Sequence, residues 1–292
     1  MTRDKLTIGA MGVLLLLCSI WGINMVAIKI SNQGLAPVTA AAFRSTAASI
    51  IIIIWMYFRK IRLFQRGAPL VWGLWAGALF GLEFLLLYAG LNYTSASRAV
   101  VLLYTCPFVV ALGAHFYLPD DRLTWMKSIG LVLAFFGTAA VMGQHTIVFD
   151  PVTLKGDLLA LGGGIAWGLT TLVIKKHLVG EIEPIQTLHY QLFFSALLLW
   201  PAALILEPSP IRDFGAITVM SLFYQSVIVA AASYLAWFVL VHRFSVSRLS
   251  SFAFFAPVMG VIAGGTLLGE PLPATILLGL LGVGSGIYLV NR

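Results

Sequence analysis

The chain has 292 residues, of which 60% are hydrophobic and only 10% charged, and a formal net charge of +7. A soluble domain carries about 25% charged residues, so the composition excludes an ordinary soluble fold and points to an all-α polytopic membrane protein. The basic excess would indicate a polyanion partner in a soluble chain; here it sits at the ends of apolar stretches and reads as membrane topology, so no nucleic-acid partner is expected.

In chain order, about ten apolar stretches of roughly 18–24 residues are each long enough to cross a bilayer core as a helix. They centre near Cys18, Ala48, Gly81, Pro107, Phe135, Trp167, Ala196, Ile228, Val258 and Gly282. The first follows Arg3 and Lys5, as a signal peptide would. It runs on to about Ile30 without a small-residue cleavage site, so it reads as a permanent span. The second span contains Arg44 and ends in a basic loop at 59–69. The third holds Glu83, the one acidic residue deep in a span, and a row of Gly73, Gly77 and Gly81 that lets helices pack closely within the chain. Short connections at 94–97 and 242–247 predict tight antiparallel hairpins of span three with four and eight with nine. Cys18 and Cys106 fall within spans and read as gap-filling side chains.

With the N-terminus in the cytoplasm, thirteen of the eighteen Lys and Arg residues fall on the cytoplasmic side. Lys29, Arg98, Lys155 and Arg212 fall on the other side, and Arg44 within a span. That bias places both termini in the cytoplasm.

The chain also repeats itself. Trp21, Gly22, Ile28 and Lys29 recur 146 positions later as Trp167, Gly168, Ile174 and Lys175. Ser95, Ser97, Arg98 and Pro107 recur 150 positions later as Ser245, Ser247, Arg248 and Pro257. Lys29 and Lys175 fall on opposite faces, as do Arg98 and Arg248, which is the mark of two inverted five-helix repeats. Residues 1–145 and 155–292 form the units, joined by a polar seam at 143–155.

At this point the chain resembles a known family. The Trp-Gly pair and following lysine that open each repeat, the mid-span prolines Pro107 and Pro257, and the acidic residues Asp120 and Glu270 beside Pro119 and Pro271 resemble the EamA-type transporters of the drug/metabolite transporter superfamily. Within that group the chain most resembles the bacterial aromatic amino-acid exporters of the YddG type. The resemblance covers essentially the whole chain. It implies a secondary exporter of the bacterial cytoplasmic (inner) membrane, working by alternating access on amino acids of broad range. Amphiphilic drugs or other small metabolites are the alternative cargo.

Several side chains are candidates for the pathway. Pro107 and Pro257 each remove a backbone hydrogen bond, freeing the carbonyls of Leu103 and Ala253, and are hinge candidates. Inserting an acidic side chain at mid-membrane costs about 2.5–3.5 kcal/mol, so Glu83 marks a pathway, a proton relay or an ion pair. Arg44, at a depth within about 6 Å of it, is the candidate partner. Trp21, Asn24, Trp167 and Thr171 lie deep in the first spans of the two repeats. Tyr104 and Thr105 adjoin Pro107, Phe254 adjoins Pro257, and Gln225, Ser233 and Trp237 lie along span eight. Together they form a candidate substrate cavity in which aromatic rings wall an apolar side chain and polar groups meet charges. Spans one, three, four, six, eight and nine are expected to enclose it. Scattered histidines and a lone deep carboxyl give no metal or nucleophile constellation, so no enzyme activity, cofactor or metal is expected. The expected partners are a small-molecule substrate and the lipid bilayer, with the chain working as a monomer.

Overall fold

The structure is a computed structural model that describes residues 6–142 and 150–292; Arg3, Lys5 and most of the 143–155 seam lie outside the described residues. Among these residues there is no β-sheet, and nine helices are long and apolar enough to cross a membrane. They are α1 (Ile8–Gly34), α2 (Pro37–Phe58), α3 (Ala68–Leu91), α4 (Ala96–Tyr117), α5 (Trp125–Met142), α6 (Pro151–His177), α7 (Pro184–Leu206), α8 (Ala216–Arg243) and α9 (Val246–Leu268). The tenth, α10 (Ile276–Asn291), is apolar but has only 16 residues. At 1.5 Å per residue that is about 24 Å. It starts late because Gly269, with φ of 69°, ends α9 and Pro271 and Pro273 hold the next residues out of a helix.

Both proline-bearing helices are broken rather than bent. α4 runs as Ala96–Leu103 and Cys106–Tyr117, and α9 as Val246–Phe252 and Phe255–Leu268. Each proline sits at the start of its second segment, where a missing amide does least harm. Several of the carbonyls at the breaks find partners, as hydrocarbon surroundings favour. The Thr105 hydroxyl donates to the Leu102 carbonyl at 2.8 Å. In α9 the Cys18 thiol donates to the Phe252 carbonyl at 3.1 Å, and the Thr138 hydroxyl to the Phe254 carbonyl at 3.2 Å. The Ala253 carbonyl, expected to be freed by Pro257, accepts the Ala256 amide at 3.0 Å instead. α8 departs from α-geometry too, with a π-helical stretch at Tyr224–Ser233.

Neither short connection makes a tight hairpin, contrary to expectation. The first half of α4 leaves α3 and packs on α6, while the first half of α9 packs on the second half of α4. A cavity separates α3 from α4 and α8 from α9, so the paired helices splay around it. The glycine rows are spent inside the chain. Gly77 and Gly81 face Phe194 and Leu198 of α7, and Gly73 faces the Tyr190 ring. α5 and α10 also pack closely, so that a Cβ on Gly137 would stand 2.7 Å from the Val283 nitrogen and 2.9 Å from the Gly279 oxygen.

The ends of the bundle are tied by polar contacts. At one end the Glu207 carboxylate accepts the Val38 and Thr39 amides, both at 2.8 Å, capping the positive end of α2. At the other, Asp121 in the α4–α5 loop pairs with Lys127 at 2.9 Å and accepts the Ser247 amide at the start of α9 at 3.0 Å. Burial pushes the Asp121 carboxyl up, but the Lys127 ammonium and the Ser247 amide outweigh it and hold it below the usual carboxylate range.

Gly137→Leu is expected to cost about 1–3 kcal/mol or more through overpacking, whereas Gly284→Leu, with open space around its Cβ position, leaves stability unchanged. Thermal unfolding of the two purified variants checks this. Because Asp121 titrates below its unfolded value, its contribution is present at neutral pH and is lost as pH falls through the depressed folded value. Asp121→Asn is expected to lose about 3 kcal/mol at pH 7. Its deficit against wild type should narrow as pH falls below about 4, which a pH series of unfolding midpoints reads directly.

Candidate functional site

A cavity of about 550 Å³ lies at the centre of the bundle, within the range of small-molecule sites. The six helices expected to enclose it supply most of its wall, joined by Arg44 of α2 and Gln191 of α7. Trp21 of α1 lies edge-on to Trp237 and Tyr234 of α8, with centroids 5.5 and 6.3 Å apart. Its indole N–H donates to the Ser233 hydroxyl at 2.9 Å, which fixes the ring. Across the cavity Trp167 of α6 stands edge-on to Tyr104 at 5.6 Å. Phe80 and Phe84 continue the aromatic wall along α3.

One basic and one acidic side chain sit in this wall. Arg44 is 2% exposed and its guanidinium lies 4.2 Å over the Phe84 ring. Glu83 is 6% exposed. The three ion pairs among the described residues are Lys29–Glu270, Arg98–Asp157 and Lys127–Asp121, so Arg44 and Glu83 do not pair directly. Arg44 Nε and Nη2, Glu83 Oε2 and Asn24 Oδ1 are buried without a hydrogen-bond partner.

The two ends of the cavity differ. At one mouth the Lys29–Glu270 pair is open to solvent, its side chains 63% and 43% exposed. Lys175, the repeat equivalent of Lys29, is buried at the other end, where its ammonium donates to the Val241 and Phe244 carbonyls, the latter at 2.8 Å. Asp121 ties the same end to α9, and the Gln186 amide holds the Arg62 carbonyl at 2.9 Å.

Of the residues singled out in the sequence, Trp21, Asn24, Arg44, Glu83, Tyr104, Trp167, Thr171, Trp237 and Pro257 line the cavity. Five others stand off its wall. Thr105 is turned to the Leu102 carbonyl. Pro107 starts the second half of α4 behind Tyr104. Gln225 bridges α8 to α1 through the Ser31 hydroxyl at 3.0 Å. Ser233 positions Trp21 from behind. Phe254 is wholly buried against Phe108 and Phe135. Tyr234, Phe80, Phe84 and Tyr88 line the cavity without having been singled out. Their signal was helical spacing: Phe80, Phe84 and Tyr88 follow one another at intervals of four, Phe80 precedes Glu83 by three, and Tyr234 precedes Trp237 by three.

This fold agrees with comparisons to known proteins. The EamA-like transporter family model matches residues 8–143 and 154–292. The uncharacterized transporter YoaV of Bacillus subtilis is 25% identical over 271 residues, 92% of each chain. A probable amino-acid metabolite efflux pump of Escherichia coli is 26% identical over 291 residues, 94% of this chain and 92% of its own. A solved crystal structure, 18% identical, superposes with a TM-score of 0.82 over 95% of both chains and shares the fold. With two matches that span nearly its whole length, the chain belongs to the EamA-like transporter family.

Proposed function

We propose that this membrane transporter is a monomeric secondary carrier that exports amino acids across the bacterial inner membrane by alternating access between inverted five-helix repeats, 1–145 and 155–292. The observation that carries the reading is the opposite state of repeat-equivalent lysines: Lys29 exposed at an open mouth, Lys175 buried at a closed end. Helix packing supports the inversion. α1 packs on α9 through Gly22, and α6 packs on α4 through Gly168, so the first helix of each unit meets the fourth of the other. The charge bias sets the closed end in the cytoplasm, which makes this the outward-open conformation.

In the inward-open state the exchange of environments gives Lys29 the position Lys175 holds now. The repeat equivalents of Val241 and Phe244 are Leu91 and Thr94, so Lys29 then caps the end of α3 while Lys175 faces Asp120. The cavity lies within one chain, which supports a working monomer.

The wall chemistry supports amino acids as cargo. Anionic phosphates need paired basic groups, and Arg44 is the basic residue at the cavity's middle; Lys29, at the mouth, already faces Glu270. Aromatic rings suit an apolar or aromatic side chain. The name of the Escherichia coli relative points the same way.

Counterflow in liposomes tests the reading. With unlabelled phenylalanine, methionine or threonine inside, labelled tracer outside should accumulate above empty liposomes and saturate with concentration. Trp21→Ala or Trp167→Ala should lower apparent affinity about ten-fold, as loss of an aromatic contact of 1.4 kcal/mol does, with the folded yield retained. Flat traces for all three amino acids with folded protein would overturn the amino-acid reading and leave amphiphilic drugs as the cargo to try.

A further inference from the structure

The ionisable side chains in the cavity wall lack the partners that buried charges require. Taking a lone ion out of water costs several kcal/mol, so buried charges in proteins are paired or hydrogen-bonded. Arg44 and Glu83 make no hydrogen bond or ion pair among the described residues, although both are more than nine-tenths buried and line the cavity. The unpartnered atoms of Arg44 are Nε and Nη2. These are the two donors of one guanidinium edge, the edge that matches the two oxygens of a carboxylate. Asn24 Oδ1 only accepts, and Glu83 Oε2 does so once the carboxyl is ionised, the form that an ammonium beside it favours. One ring relates the poles: Phe84 follows Glu83 in the chain and carries the Arg44 guanidinium on its face.

We propose that Arg44 and Glu83 are the two poles of a zwitterion site, Arg44 binding the α-carboxylate and Glu83, with Asn24, the α-ammonium of one amino acid. The inference rests on the amino-acid reading above and adds the groups that recognise the cargo. A zwitterion is itself neutral and gives each ionisable group its missing counterpart. The side chain then lies against the Trp21, Tyr234 and Trp237 rings or the Trp167 and Tyr104 rings, which leaves the site indifferent to its identity. Arg44 is packed on a ring face and its Nε–Nη2 edge is buried without a partner, so a carboxylate reaches that edge once a small side-chain shift opens it to the cavity.

The test uses full-length protein in liposomes, with labelled phenylalanine counterflow competed by two analogues. Phenylalaninamide keeps the ammonium and lacks the carboxylate; 3-phenylpropionate keeps the carboxylate and lacks the ammonium. In wild type both should compete about ten-fold or more worse than phenylalanine. Glu83→Gln should bring phenylalanine down to the level of 3-phenylpropionate and leave 3-phenylpropionate unchanged. Arg44→Lys should weaken phenylalanine and leave phenylalaninamide unchanged. Should Arg44→Lys fail to fold, phenylalaninamide competition in wild type and in Glu83→Gln decides the carboxylate pole. Phenylalanine transport with both analogues competing equally well would overturn the zwitterion site and leave the amino-acid reading standing. Folded Glu83→Gln that discriminates like wild type would overturn the role of Glu83. Absence of any amino-acid counterflow in folded wild type would overturn the reading on which the proposal rests, and the proposal with it.

Discussion

A backbone carbonyl in the hydrocarbon core has no water to turn to, and the architecture is organised around the two places where this chain breaks its own helix there. At Leu103–Cys106 and Phe252–Phe255 the helical ladder stops and restarts. Thr105, within the first break, bonds the Leu102 carbonyl, and at the second break Cys18 and Thr138 reach in from neighbouring helices. α6 approaches the α4 break so closely that a Cβ on Gly164 would lie 2.6 Å from the Leu103 oxygen. The break turns Tyr104 toward Trp167 and so builds one wall of the cavity. Kinked helices that splay also explain why neighbours in sequence, α3 with α4 and α8 with α9, are not neighbours along their length.

The repeats share sequence but not surroundings. Tyr104 and Phe254 are equivalent positions, yet one lines the cavity and the other is buried against Phe108 and Phe135. Lys29 and Lys175 show the same contrast between open mouth and closed end. A symmetric protein would treat each pair alike. The proposed alternating access accounts for the difference, because on that reading each half holds the conformation that the other takes after the switch.

Much of this was readable beforehand, and the part that was not has physical causes. Length and apolar run set the spans, and repeated residues set the two units, because those signals are local or periodic. Glu83 and Arg44 were legible as cavity-lining residues because an ionisable group deep in a span is costly when it faces lipid. The side to which a polar residue turns was not legible: Gln225, Ser233 and Thr105 look like cavity groups in sequence but serve a helix junction, an indole and a broken backbone. Their roles depend on partners up to 212 residues away, and on a π-helical stretch in α8 that resets the face of every residue after Tyr224.

The account stands most directly on one claim, that the two ends of the cavity open in turn. Ser97→Cys near the open mouth and Ile174→Cys toward the closed end both line the cavity, while native Cys18 and Cys106 are buried and give a quiet background. Thiol labelling with a membrane-impermeant reagent is measured from each side, in right-side-out and everted vesicles, with and without saturating phenylalanine. Without substrate, Ser97→Cys should label from outside and Ile174→Cys should be protected from the cytoplasmic side. Phenylalanine should lower the first rate and raise the second. Both sites labelling together from both sides, or neither rate responding to substrate, would contradict alternating access.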